Sequence, residues 1–269
     1  MEFFKKADWF NREGPYFYNV EHIIFIILAL ATCVIVPLLL RKKSPKTIKI
    51  VLICLWATAL ALDLLKYMQG WIRDAMGDGT FGIGSELPFY TCSIFLFTLP
   101  FALFSRNDLI KRSVCAFLCT ISLFGGLINF FLSFTLVNYS LFSFYGLHTC
   151  IYHLMLLLVP MIMLITGYYR PQWRDFVNAF IVFAIFALPV FIFDCIFGVD
   201  YMYLYDGSDL TPFAVIADAM PHHLLWTVVV TLGYALVCIT VLASEIGITK
   251  LVALIKNKMD ARKAPAAEV

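Results

Sequence analysis

Seven apolar runs, each long enough to cross a bilayer, follow one another at about 22–40, 48–68, 86–105, 113–136, 143–167, 175–198 and 219–243. A membrane-crossing helix needs roughly 20 such residues. In hydrocarbon every backbone N–H and C=O must be satisfied within the protein, which leaves helices as the solution for runs of this kind. The pattern predicts an all-α, polytopic membrane protein, with one seven-helix transmembrane domain over 1–245 and a basic tail over 246–269. With 62% of its 269 residues hydrophobic and 14% charged, the chain carries more apolar surface than a water-soluble domain can bury. The first run is longer than a signal-peptide core and is followed by no small-residue cleavage site, so it reads as a retained helix.

The charges orient the bundle. If the seven runs alternate sides, 15 of the 20 Lys and Arg fall on one side, including the clusters at 41–49, 106–112, 170–174 and 250–263. The positive-inside rule then places the N-terminus outside and the C-terminus in the cytoplasm, as for a multi-pass plasma-membrane protein. In that orientation the intramembrane polar groups gather in one layer. Asp63, Lys66, Asn129 and Asp194 lie in the outer halves of their helices, with Glu21, His22, His222 and His223 at outer helix starts. His148 and His153 fall about 8 and 15 Å below Ser143, and Cys92 about 9 Å below Glu86, at 1.5 Å per residue. The inner halves read as dry, with little beyond Ser, Thr, Cys and Asn178. Polar side chains at membrane depth are costly and mark functional sites by default.

Each of these residues also has a plain structural role. Asp63 and Lys66 fit an interfacial ion pair one turn apart, His222 and His223 a helix start, and Glu86 a first-turn acid favoured by the helix dipole. The eight cysteines all sit in apolar runs with no zinc-type spacing, so no metal or other cofactor is expected. His148 and His153 are harder to explain as packing, because a buried imidazole needs partners for both nitrogens. Five residues apart, they point about 140° from each other on a helix, so they cannot share one spot unaided.

Leu87-Pro88-Phe89-Tyr90-Thr91-Cys92, the His-bearing fifth run, Arg170-Pro171 and Tyr201-Met202-Tyr203-Leu204 occur in an order that resembles the YwaF-like family of bacterial integral membrane proteins. That family is similar to the eukaryotic transmembrane protein 164 group. The resemblance implies lipid acyltransferases that use a membrane cysteine and a histidine, here Cys92 with His153 or, second, His148. Tyr90 stands where the family pattern often has His, and Asp200 where it has Asn.

The chemistry can also be argued from the residues. A thiol becomes a nucleophile once an imidazole within reach takes its proton. A thiol near the start of a helix gains from the dipole. Tyr90, Asn129, Asp194, Tyr201 and Glu86 are the candidates for substrate contacts, histidine orientation or oxyanion stabilisation. The expected partners are membrane phospholipids, with no nucleic acid. An outer pocket that binds a lipid or small ligand without chemistry is the alternative reading. A transporter fits less well, for want of internal repeats and of polar groups in the inner half.

Overall fold

The computed structural model describes residues 18–75, 87–131, 136, 139–207, 214–220 and 223–263. The described residues form helices α1 (Val20–Leu40), α2 (Pro45–Ala75), α3 (Ile94–Phe104), α4 (Asp108–Phe117), α5 (Leu123–Phe131), α6 (Phe144–Ile165), α7 (Asp175–Phe197), α8 (Ala214–Asp218) and α9 (His223–Lys263). A π-helical turn, Leu118–Ser122, joins α4 to α5 without a break, and a 3-10 turn, Tyr201–Tyr203, follows α7. Six of the resulting helical stretches are long and apolar enough to cross a membrane.

Local signals fix the helix starts. Asn19, Asn107 and Ser143 each accept a hydrogen bond from a backbone N–H of the following turn, which removes part of the cost of the unpaired helix start. The Asn107 cap begins α4 at Asp108, so Lys111 and Arg112 lie on the helix rather than in a loop. Gly126 brings α5 against α6: a Cβ there would lie 2.8 Å from the Leu156 Cβ. Small residues at such crossings let membrane helices approach closely.

Three sequence expectations change. The third apolar run was read as one helix from 86, but residues 87–93 form successive turns and the helix starts only at Ile94. Pro88 has no N–H to give to a helix ladder, and side chains from elsewhere in the bundle take up Leu87 N and share the Cys92 carbonyl. Non-helical backbone at membrane depth is tolerated where it is buried in protein. The last helix continues through the stretch read as a tail, as far as Lys263.

The end of the bundle that carries the basic loops is also not dry. Asp175 has no exposed surface and accepts from Arg112 Nε at 2.7 Å, Arg112 Nη2 at 2.6 Å, the Tyr169 hydroxyl at 2.9 Å and Gln172 N at 2.8 Å. The cluster clamps α4 to α7. Burial, and then the Asp175 carboxylate beside it, raise the pKa of the Tyr169 phenol in the loop before α7, which keeps it a donor. Glu245 of α9 is buried in the same half of the bundle.

Candidate functional site

The turn segment 87–93 is held from three directions. Leu87 N donates to the Tyr201 hydroxyl at 3.0 Å, and the Tyr152 hydroxyl donates to the Cys92 carbonyl at 3.4 Å. Thr91 Oγ1 lies 2.8 Å from the Tyr234 hydroxyl, which itself donates to Met202 O at 3.3 Å. Trp56 Nε1 donates to Leu96 O just beyond, at 2.9 Å. Aromatic rings complete the frame: Tyr201 packs edge-on against Tyr90 at 4.9 Å and Phe89 at 5.4 Å. Met202 and Tyr203 both adopt φ of 57°, a left-handed conformation that non-glycine residues rarely hold. Such strain persists only where the surroundings over-determine it. Here Tyr201, Trp226 and Tyr234 do so, with Trp226 Nε1 donating to Tyr203 O at 2.9 Å.

Beside this frame, α2 and α6 supply the charged groups. His148 Nε2 lies 3.6 Å from Asp63 Oδ1, and Lys66 Nζ lies 3.9 Å from the same oxygen. The His148 ring stacks on Tyr152 with centroids 5.6 Å apart, so one tyrosine touches both the imidazole and the Cys92 carbonyl. Cys92 is partly buried, and all eight cysteines are free thiols. It lies two residues before α3, and its carbonyl accepts from Phe95 N at 3.3 Å, so it keeps its place at a helix start although it is not helical.

The other candidates fall elsewhere. His153 points away from this cluster, as the five-residue spacing requires: its Nδ1 donates to Thr149 O at 2.7 Å. Its buried Nε2 has no hydrogen-bond partner among the described residues. Asn129, on α5, stands one turn from the Gly126–Leu156 crossing, opposite the turn of α6 that carries His153, and its Oδ1 is likewise buried and unpartnered among those residues. Asp194 is fully buried at the end of α7, beside the Tyr201 backbone but short of a well-formed hydrogen bond. Asp200, outside the helices, accepts from Tyr205 N at 2.9 Å and Gly207 N at 2.5 Å. Burial raises its carboxyl pKa, and these N–H groups partly oppose the shift. His22 is buried, with Nδ1 accepting from Tyr18 N at 2.9 Å, as befits a helix start. His223 stacks on Tyr205 at 4.8 Å. Glu86 and His222 lie outside the described residues.

The model of the TMEM164 family matches residues 17–243. The chain belongs to the TMEM164 family. No curated protein matches it, and no solved structure does. The resemblance read from the motifs at 87–92 and 201–204 therefore holds at the level of this family.

In this TMEM164-family chain an apolar cleft of about 460 Å³ opens between α2 and α3. Its lining includes Trp56, Leu60, Tyr67, Leu96 and Phe101, and its one charged residue is Asp63. From Trp56 to Tyr67 the α2 wall extends about 16 Å at 1.5 Å per residue. Asp63, within this wall, is the residue that meets His148. Tyr152 and Tyr234 are the participants that sequence reading missed. Both stand in apolar helices as ordinary aromatics, and the one available signal for Tyr152 was its spacing of four from His148.

Proposed function

We propose that this protein is a lipid acyltransferase of the outer membrane leaflet, with Cys92 as nucleophile, His148 as proton carrier and Asp63 as the carboxylate that orients the histidine. The observation that carries the reading is the Asp63–His148 contact beside an apolar cleft that Asp63 lines, with Tyr152 touching both the His148 ring and the Cys92 carbonyl. His148 displaces His153 as the preferred base because His153 is turned to Thr149 on the other side of α6. An acyl chain lying in the cleft brings its ester to the charged end.

The steps balance as follows. His148 takes the Cys92 proton, and the sulfur attacks the ester carbonyl. The carbonyl carbon–oxygen bond of the ester breaks, and the lysolipid alkoxide leaves with the proton held by His148. A thioester remains on Cys92. An alcohol acceptor then gives its proton to His148 and attacks the thioester. The new ester departs, and the thiolate recovers the proton. Asn129, Asp194, Tyr90, Tyr201 and Glu86 act outside this proton relay. Tyr90 and Tyr201 support the segment that carries the thiol.

His148→Ala is expected to lower turnover about 10²- to 10⁴-fold, the usual worth of a positioned general base. His153→Ala is expected to lower it much less. Steady-state acyl transfer by the two purified variants decides between them, and the reverse order would return the role to His153.

The topology belongs to the same reading: seven passes, with the helix Ile94–Phe104 and the turns before it as the third, and the basic loops cytoplasmic. Single cysteines introduced at 44, 109 and 172 into a cysteine-depleted chain should label with impermeant maleimide only after permeabilisation, and those at 139 and 208 before it. Labelling of 44 and 208 from the same side would refute the assignment.

A further inference from the structure

The basic end of the bundle holds more positive charge than it neutralises. The segments 41–49, 106–112 and 170–174 contain ten Lys and Arg against one acidic residue, Asp108. Among the described residues, Arg112 is the one of these ten that meets a carboxylate, that of Asp175. Two of the remaining nine stand on helices and converge on the end of α3. Lys49, early in α2, holds Nζ 4.9 Å from the centre of the ring of Phe104, the last residue of α3. Lys111, in the first turn of α4, holds Nζ 4.9 Å from that of Tyr168, whose hydroxyl donates to Ala102 O of the same α3 turn at 2.8 Å. Both lysines are half-buried. Neither ammonium makes a hydrogen bond or ion pair among the described residues, although each has three donors to place. Phe104 and, beside Lys111 on α4, Leu109 and Ile110 expose apolar side chains at the same level.

We infer that the inner end of α3 is a binding site for anionic phospholipid of the leaflet around it, with Lys49 and Lys111 taking the headgroup phosphate. The cation–π contacts hold the two ammonium groups in place without using their donors, which phosphate oxygens then satisfy. A lipid bound there lays its acyl chains against Phe104, Leu109 and Ile110, a contact that a soluble anion lacks. Net charge makes the selection. Nine basic residues facing Asp108 alone attract a lipid that carries a net negative charge and repel the cationic headgroup of a zwitterionic one. The site stands the length of α3, about 16 Å, from the turn segment 87–93 and rests on no part of the acyl-transfer reading. Lys49 and Lys111 belong to α2 and α4, and α3 packs against both helices. A lipid held by the two therefore ties three helices together, so its binding is read as stability as well as retention.

The test offers the full-length protein in detergent a phosphatidylglycerol and a phosphatidylcholine of identical acyl chains, and reads retention by native mass spectrometry. At about 5-fold per cation that faces an anionic headgroup, wild type should favour phosphatidylglycerol by about 30-fold. Lys49→Gln combined with Lys111→Gln should lose most of this preference, and Lys49→Arg combined with Lys111→Arg should keep it. Lys42→Gln combined with Lys43→Gln removes the same charge from the exposed loop after α1. Screened by solvent, that pair should change the ratio by less than about 3-fold. Equal losses in the two Gln pairs would mean a diffuse positive surface and overturn the site. Equal retention of the two lipids by wild type would overturn it without any variant. Melting curves supply a second readout: phosphatidylglycerol should raise the Tm of wild type above its value in phosphatidylcholine, and should leave that of the Lys49→Gln, Lys111→Gln variant unmoved. Glycerol 3-phosphate in excess should leave the retained lipid in place. Its displacement would mean a site for a soluble anion, and would also overturn the proposal.

Discussion

Cys92→Ala should reduce acyl transfer to background, a loss of about 10³-fold or more, with the fold intact. The side chain is partly buried, and its removal deletes one sulfur from a segment whose backbone is held by Tyr152 and Tyr201 and whose Thr91 side chain meets Tyr234. A packing role alone predicts the opposite balance, with activity kept and stability lowered by the small cost of a lost sulfur contact. Cys92→Ser is informative as well. A hydroxyl is far less ionised than a thiol beside the same imidazole, so serine should be nearly as inactive as alanine. Melting curves in detergent that match wild type, together with turnover at background, would separate chemistry from packing. Wild-type turnover in Cys92→Ala would remove the cysteine from the mechanism.

The largest effect on stability is expected far from the cleft, at Arg112. Its guanidinium makes two short contacts to a carboxylate that has no exposed surface. Truncation to alanine leaves Asp175 with only neutral donors, from Tyr169, Gln172 and Asn178. Breaking a buried ion pair from one side costs about 3–5 kcal/mol, which for a domain of this size lowers Tm by roughly 6–20 °C. Lys111→Ala, one residue away, should cost far less, because Lys111 rests over the Tyr168 ring at 4.9 Å and holds no buried charge. Asp175→Leu combined with Arg112→Ala should recover much of the loss, since it removes the stranded carboxylate. Thermal unfolding of the three variants in one detergent measures this. Equal effects of Arg112→Ala and Lys111→Ala would contradict the assigned clamp.

The helical architecture was legible because hydropathy over 20 residues is a strong signal, whereas the Asn107 cap went unread, and α4 starts at Asp108 rather than near 113. The turn segment 87–93 was not, although Pro88 stood in plain view. An apolar run with a proline near its start looks the same whether it begins a helix or a buried loop. The difference here lies in donors and acceptors that arrive from Tyr201, Tyr152 and Tyr234, between about 60 and 143 residues away in sequence. The choice between the two histidines was hidden for a related reason. Helical spacing showed that His148 and His153 face different ways, but only the packing of α6 against α2 decides which one meets Asp63. The polar half of the bundle was overestimated as the sole one, because Asp175 and Glu245 sit at the edges of their apolar runs and looked like residues outside the membrane.

Covalent capture of the acyl group tests the central claim most directly. The purified protein would be incubated with phosphatidylcholine of defined chains, quenched in acid, digested and examined by mass spectrometry. The account predicts a mass increase of one acyl group on the peptide that carries Cys92, released by neutral hydroxylamine as a thioester should be, reduced in His148→Ala and absent from Cys92→Ala. An acyl mass that persists in Cys92→Ala, or that resides on any other cysteine, would contradict it.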